Sequence, residues 1–282
     1  MRVLVTGVKG QLGFDMIKEL KSREIECLGT DIEDFDITNA EKTNDFIVSY
    51  KPDAVIHCSA YTAVDKAEDE PEMCREVNTD GPRNIAKACK DLDAKMVYIS
   101  TDYVFPGDGD GFYETGDPTG PICVYGQTKL DGESAVKETL NKYFIVRISW
   151  VFGLNGNNFI KNMLKLSETR DEVSVVSDQV GSVTYTADLA PLLCDMVATK
   201  KYGTYHATNE GTCSWAELAE EAFRIANRST KVNFITTDEY PTRAMRPKNS
   251  RLSKKSLDKA GFLRLPEWED AVKRYISELE VL

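Results

Sequence analysis

Thr101, Tyr125 and Lys129 fall in one stretch, residues 97–133, VYISTDYVFPGDGDGFYETGDPTGPICVYGQTKLDGE. Residues four apart on a helix share a face, so the Tyr125 phenol and the Lys129 ammonium can reach a common partner. A hydroxyl at a strand end, a phenol and a neighbouring cation make a proton-delivery set for a carbonyl or an alcohol. Tyr-x-x-x-Lys by itself is a sparse pattern. Its weight comes from the elements that surround it.

Those elements alternate. A β-branched run at 2–6 (RVLVT) meets Gly7, Gly10 and Gly13 in TGVKGQLG, and an amphipathic helix follows with Leu12, Met16, Ile17 and Leu20 on one side. Strand, glycine turn and helix together make a phosphate-binding turn, because glycine lets the backbone approach a pyrophosphate at the helix start. The competing reading is a plain glycine-rich turn with no ligand. The next strand, around 26–30, ends at Asp31, 18 residues after Gly13. A ribose-binding acid is expected about 20 residues on. An acid there favours NADH over NADPH, whose 2′-phosphate would face like charge, while Lys9 in the glycine loop partly offsets this. Thr38-Asn39-Ala40-Glu41 has the form of a capping box. Asp36 before it is open between a ligand contact and ordinary loop solvation.

A third strand at 54–60 carries His57, read as a core group. The loop Ala60-Tyr61-Thr62 lies at its carboxyl end, where open α/β sheets bind ligands. Residues 65–70 are acidic and read as a solvated face. Residues 71–92 read as one long helix that Gly81-Pro82 breaks or kinks. Strands at 95–100 and 143–148 flank the Tyr125 helix. The alternation predicts an α/β fold, a Rossmann-like doubly wound parallel sheet over 1–150. Residues 151–282 are expected to form a smaller, mainly substrate-binding portion, with some segments returning to the first domain. Within it Ser214-Trp215-Ala216-Glu217 starts a helix with a capping box. The segment 240–252, YPTRAMRPKNSRL, is basic in an otherwise acidic chain. Arg243, Arg246 and Arg251 there are phosphate or carboxylate partners, or else belong to a solvated loop.

The bulk numbers set limits. The chain has 282 residues, 41% hydrophobic and 29% charged, with a formal net charge of −11. No basic run favours nucleic acid or an anionic membrane. Seven cysteines without a C-x-x-C pair read as reduced thiols. With two histidines no zinc site is supported. The first strand begins at Arg2 and no apolar run approaches the roughly 20 residues of a membrane span. A cytoplasmic, soluble chain is expected, with neither nucleic acid nor membrane as partner.

With TGVKGQLG, DITN, HCSAYTAVDKAE, VNTDGPRNIA, STDYVFPG, VYGQTKLDGE, RISWVFG, DQVGSVTYTADLA and RPKNSRL in order, the chain resembles the extended short-chain dehydrogenase/reductase superfamily. Within it the chain is similar to reductases of nucleotide-linked 4-keto sugars in the rhamnose branch of cell-surface polysaccharide synthesis. The resemblance implies NADH or NADPH as cofactor and a deoxythymidine diphosphate-sugar as substrate. It assigns Tyr125 as proton donor and Lys129 as the residue that holds the nicotinamide ribose and lowers the phenol's pKa. It places Thr101, Asp102 and Trp150 at the substrate and Gly10, Gln11, Leu12, Asp31, Asp36, Ile37 and Ala60, Tyr61 and Thr62 at the cofactor; Arg246 of the basic segment joins the substrate set, and Gly7 of the glycine turn the cofactor set, on their own chemistry. It leaves open a homodimer and a magnesium ion at a subunit contact, for which the sequence assigns no metal ligands.

A free phenol has a pKa near 10. A nearby ammonium and the cationic oxidised nicotinamide favour phenolate and draw that value toward neutrality. Thr101 and Tyr125 donating to the sugar oxygen would stabilise its developing charge. Relatives that remove water from nucleotide-sugars carry Thr-Asp-Glu where this chain has Thr101-Asp102-Tyr103, which favours reduction. Two alternatives stand beside the reductase: a non-catalytic dinucleotide-binding regulatory subunit, and an epimerase or reductase of another nucleotide-sugar.

Overall fold

The computed structural model describes residues 1–281. The first half runs β1 (Arg2–Thr6), α1 (Gln11–Ser22), β2 (Glu26–Thr30), α2 (Ala40–Tyr50), β3 (Ala54–His57), α3 (Val64–Ala67), α4 (Pro71–Arg75), α5 (Gly81–Asp91), β4 (Lys95–Thr101), α6 (Val124–Thr139) and β5 (Tyr143–Ile148). The second half runs β6 (Val151–Phe152), α7 (Phe159–Ser167), β7 (Glu172–Val176), β8 (Val180–Gly181), β9 (Thr184–Tyr185), α8 (Thr186–Val197) and β10 (Gly203–His206). It closes with β11 (Cys213–Ser214), α9 (Trp215–Ile225), β12 (Lys231–Ile235), β13 (Asn249–Ser250), α10 (Lys255–Ala260) and α11 (Trp268–Leu279).

Six strands form one parallel sheet in the order β10-β5-β4-β3-β1-β2. Parallel strands are buried on both faces, and the alternation of side chains divides each strand between two cores. Val3, Val5, Ile56, Val97 and Val146 pack with Met16 and Leu20 of α1 and Leu189, Leu193 and Met196 of α8. Leu4, Val55, Met96, Tyr98 and Ile145 face the other way, onto Ile47, Ile85 and Val136 of α2, α5 and α6. This is the doubly wound α/β fold. The chain leaves β1 toward β2 on one side and returns through β3 on the other, so a cleft opens at the carboxyl ends of β1 and β3.

Outside the sheet, α7, α9 and α11 enclose a further core around Phe152, Ile160, Tyr185, Leu218, Val272 and Tyr275. Three short strands, β11-β8-β13, bring residues 213–214 and 249–250 onto 180–181.

Several local expectations change. The helix over 71–92 does not break at Gly81-Pro82; a π-turn at Glu76–Asp80 joins α4 to α5. Proline cannot donate to the carbonyl one turn back and crowds it. Here that carbonyl, Asn78 O, takes the Tyr98 hydroxyl instead, at 3.2 Å. The cap of α2 is Asn39, whose side chain accepts from Lys42 N, while Thr38 bonds back to Asp36. Asn39 Oδ1 takes the Lys42 amide at 3.0 Å, and Thr38, held by Asp36, is left outside the helix.

The acidic run 65–70 is not merely a solvated face. Asp65 is paired with Arg246 and Asp69 with Arg243. Tertiary contact between segments far apart in sequence satisfies both groups of charges at once.

Candidate active site

A cavity of about 780 Å³ opens at the carboxyl edge of the sheet. Its floor is the β1–α1 turn. Gly7 has φ +72°, and a Cβ there would lie 2.8 Å from Ser59 N; one on Gly13 would lie 2.2 Å from Gly7 O. Only glycine fits either place. No side chain caps α1 at Gly10, so the amides that begin the helix are left for a ligand. Gly7, Gly10, Gln11 and Leu12 all line the cavity. The cradle fits the pyrophosphate of a dinucleotide.

Asp31, Asp36 and Ile37 line the same end. Asp31 accepts the Lys9 amide on Oδ2 and the Ile32 amide on Oδ1, both at 2.9 Å, which orients its carboxylate. Lys9 pairs through Nζ with Glu33. Asp36 accepts from the Thr38 amide and hydroxyl. Ala60 and Thr62 line the wall, whereas the Tyr61 side chain turns away and donates to Glu70 at 2.8 Å. Asn78, buried, holds the Tyr61 backbone through both its amide and its carbonyl, at 2.8 and 3.1 Å.

Thr101, Asp102, Tyr125 and Lys129 meet at the middle of the cavity. Thr101 donates to Asp102 Oδ1 at 2.9 Å, so its proton is directed at the carboxylate. Asp102 is buried, its Oδ2 has no partner, and burial lifts its pKa to about 6. The Lys129 ammonium donates to Ile99 O at 2.7 Å and lies 4.2 Å above the Tyr98 ring. Burial lowers its pKa to about 7, against the opposing field of Glu133.

The Tyr125 phenol differs from the sequence expectation. Desolvation pushes its pKa up from 10, and the Thr101 hydroxyl is what opposes the rise. The lysine that should lower it is itself buried and directed at a backbone carbonyl.

One group escaped sequence reasoning. Glu133, on the same face of α6 as Tyr125 and Lys129, accepts Ser100 Oγ and Arg147 Nε on Oε1, both at 2.7 Å. Arg147 also reaches Oε2 at 2.8 Å and donates to Thr115 O. This ties the Tyr125 helix to the strand ending in Thr101. The four-residue spacing Tyr125-Lys129-Glu133 was its only sequence signal. His57 is neutral and buried, bonded through Nδ1 to Thr6 Oγ1 at 2.8 Å, with its pKa pushed down to about 3 by burial.

At the far end the cavity is lined by Trp150 and, unforeseen, Trp215. The basic segment is not free to reach in. Arg246 donates to both Asp65 oxygens, at 2.7 and 3.0 Å, Arg243 is held by Asp69, and Arg251 donates to Asn249. Among the described residues no group of His, Cys, Asp and Glu could hold a metal ion, and no helix is long and apolar enough to cross a membrane.

A parallel sheet whose switch-point cleft joins a glycine cradle to a Tyr–Lys helix defines an oxidoreductase of the extended short-chain dehydrogenase/reductase class. The family described as RmlD substrate binding domain matches residues 1–281. The chain is 39% identical to a dTDP-4-dehydrorhamnose reductase of Aggregatibacter actinomycetemcomitans, over 96% of this chain and 97% of that protein. The crystal structure of such a reductase from Clostridium acetobutylicum superposes with a TM-score of 0.97 at 43% identity, covering 99% of this chain and 100% of the other. Its counterpart from Bacillus anthracis, in complex with NADP, gives 0.96 at 44% identity over 98% and 99%. The chain belongs to the dTDP-4-dehydrorhamnose reductase family.

Proposed function

We propose that the chain reduces the 4-keto group of dTDP-4-dehydro-β-L-rhamnose to give dTDP-L-rhamnose, with NADH or NADPH as reductant. The observation that carries this reading is the meeting of Tyr125, Lys129 and the Thr101–Asp102 pair in a cavity whose other end is a glycine cradle. A bound nicotinamide supplies the hydride that reaches the carbonyl carbon. Tyr125 gives its proton to the carbonyl oxygen. The upward push on the phenol keeps it protonated, as a donor requires, until the reaction makes the oxygen basic. Thr101 turns its hydroxyl from Asp102 to the same oxygen, and Asp102 receives a sugar hydroxyl in exchange. Lys129 holds the nicotinamide ribose.

Gly7, Gly10, Gln11 and Leu12 would hold the pyrophosphate of the dinucleotide and Asp31 its adenosine ribose, with Asp36, Ile37 and the 60–62 loop completing the cofactor site. The carboxylate at Asp31 favours NADH, while NADP in the Bacillus anthracis relative supports room for a 2′-phosphate near Lys9. In this reading residues 1–150 mainly bind the dinucleotide and 151–282 mainly the nucleotide-sugar. Trp150 faces the sugar end. The test is oxidation of NADH and NADPH against a panel of dTDP- and UDP-linked 4-keto sugars. Turnover confined to dTDP-4-dehydrorhamnose is the expected result; cofactor binding without turnover of any sugar favours a regulatory subunit.

A further inference from the structure

Trp150 has φ +49°, a left-handed backbone conformation that a bulky side chain rarely adopts. Such a residue persists only where its surroundings over-determine it. Two contacts do so here. The indole of Trp215 stacks on that of Trp150, with ring centroids 3.9 Å apart and planes 16° from parallel. Gly181 lies against the Trp150 ring, and a Cβ there would stand 3.0 Å from Cε2. The backbone is tied as well, since Thr184 N donates to Trp150 O at 3.3 Å.

Trp215 is itself held firmly. It is the first residue of α9, and the preceding Ser214 forms a reciprocal capping box with Glu217. Strand β11 pairs with β8, which places Ser214 opposite Val180 and brings the helix start beside Gly181. Phe159 packs against its ring with centroids 4.7 Å apart. Both indoles line the cavity beside Thr101 and Tyr125.

We propose that Trp215 is a positioning residue for the nucleotide-sugar: by stacking on Trp150 it fixes the aromatic wall at the substrate end of the cavity. The inference rests on the reductase reading above and extends it to a residue that acts on the sugar by fixing Trp150. Removing the stack leaves Trp150 free to relax from its left-handed conformation, so sugar binding suffers and the glycine cradle does not.

The test compares Trp215→Leu and Trp215→Phe in the full chain. Trp215→Leu should raise KM for the nucleotide-sugar about tenfold or more, with KM for NADPH unchanged as the control for folding. It should also abolish the near-ultraviolet dichroism couplet that two stacked indoles produce. Trp215→Phe, which keeps an aromatic face, should return KM to within about threefold of wild type. An unchanged sugar KM in Trp215→Leu, or an equal rise for NADPH, overturns the inference. A wild type that binds dTDP but turns over no sugar overturns the reductase reading instead, and the dTDP affinities of the two variants then decide the inference by the same ratios.

Discussion

Arg147 grips Glu133 through two nitrogens, Nε on Oε1 at 2.7 Å and a terminal nitrogen on Oε2 at 2.8 Å, with both side chains almost wholly buried. The pair lies one helical turn beyond Lys129 and one strand over from Thr101. Breaking a buried pair strands the remaining charge, at a cost of about 3–5 kcal/mol. Glu133→Ala should therefore lower unfolding stability by that order in urea. Glu133→Gln, which keeps an acceptor for Ser100 and Arg147, should cost less and still lower turnover as α6 shifts on β4. Wild-type stability in Glu133→Ala would show the pair to be dispensable.

Tyr125→Phe removes the proposed proton donor and little else. Turnover should fall by at least about a hundredfold, at the low end of what positioned proton transfer contributes. Fluorescence titration should find NADPH affinity within about twofold of wild type. Retained turnover would transfer the proton role to another group.

Lys129 carries its charge below a pKa of about 7 and loses it as pH rises through that value. NADPH affinity should accordingly weaken between pH 6 and pH 9 in the wild type. In Lys129→Met the affinity should be about tenfold weaker and flat with pH. A wild-type affinity independent of pH would remove the ammonium from the ribose contact.

Asp102 titrates near 6 in the fold against an ordinary 3.8, so its ionisation opposes folding. The penalty is absent below about pH 4, grows between 4 and 6, and is complete above 6. It amounts to roughly 3 kcal/mol. Asp102→Asn should raise the midpoint of thermal unfolding at pH 7.5 and give no gain at pH 4. A gain of equal size at both pH values would point to packing rather than charge.

At the adenosine end, Asp31→Ala should shift the NADH-to-NADPH ratio of kcat/KM toward NADPH by about tenfold. Glu33→Gln, which releases Lys9 from its ion pair, should shift it the same way by a smaller factor. Steady-state kinetics with both reductants measures this. An unchanged ratio in Asp31→Ala would take that carboxylate away from the ribose.

Much of the fold was legible in the chain because its causes are local. The β-branched runs and the helix at residues 11–22 announce themselves by periodicity. Gly13 is required by a contact within the turn it belongs to, and Gly7 by its positive φ in that turn. Tyr125 and Lys129 share a helix face at any placement of that helix.

What only the tertiary structure decided depends on segments remote in sequence. Arg246 reads as a free ligand group until α3 brings Asp65 to it. Trp215 reads as a helix start until it meets Trp150. The Lys129 ammonium reads as drawing the Tyr125 phenol's pKa down, yet burial moves the phenol up and the ammonium down. Periodicity and spacing determined which residues could act. Desolvation and charge pairing, which exist only once distant segments close around a group, decided in what state they act.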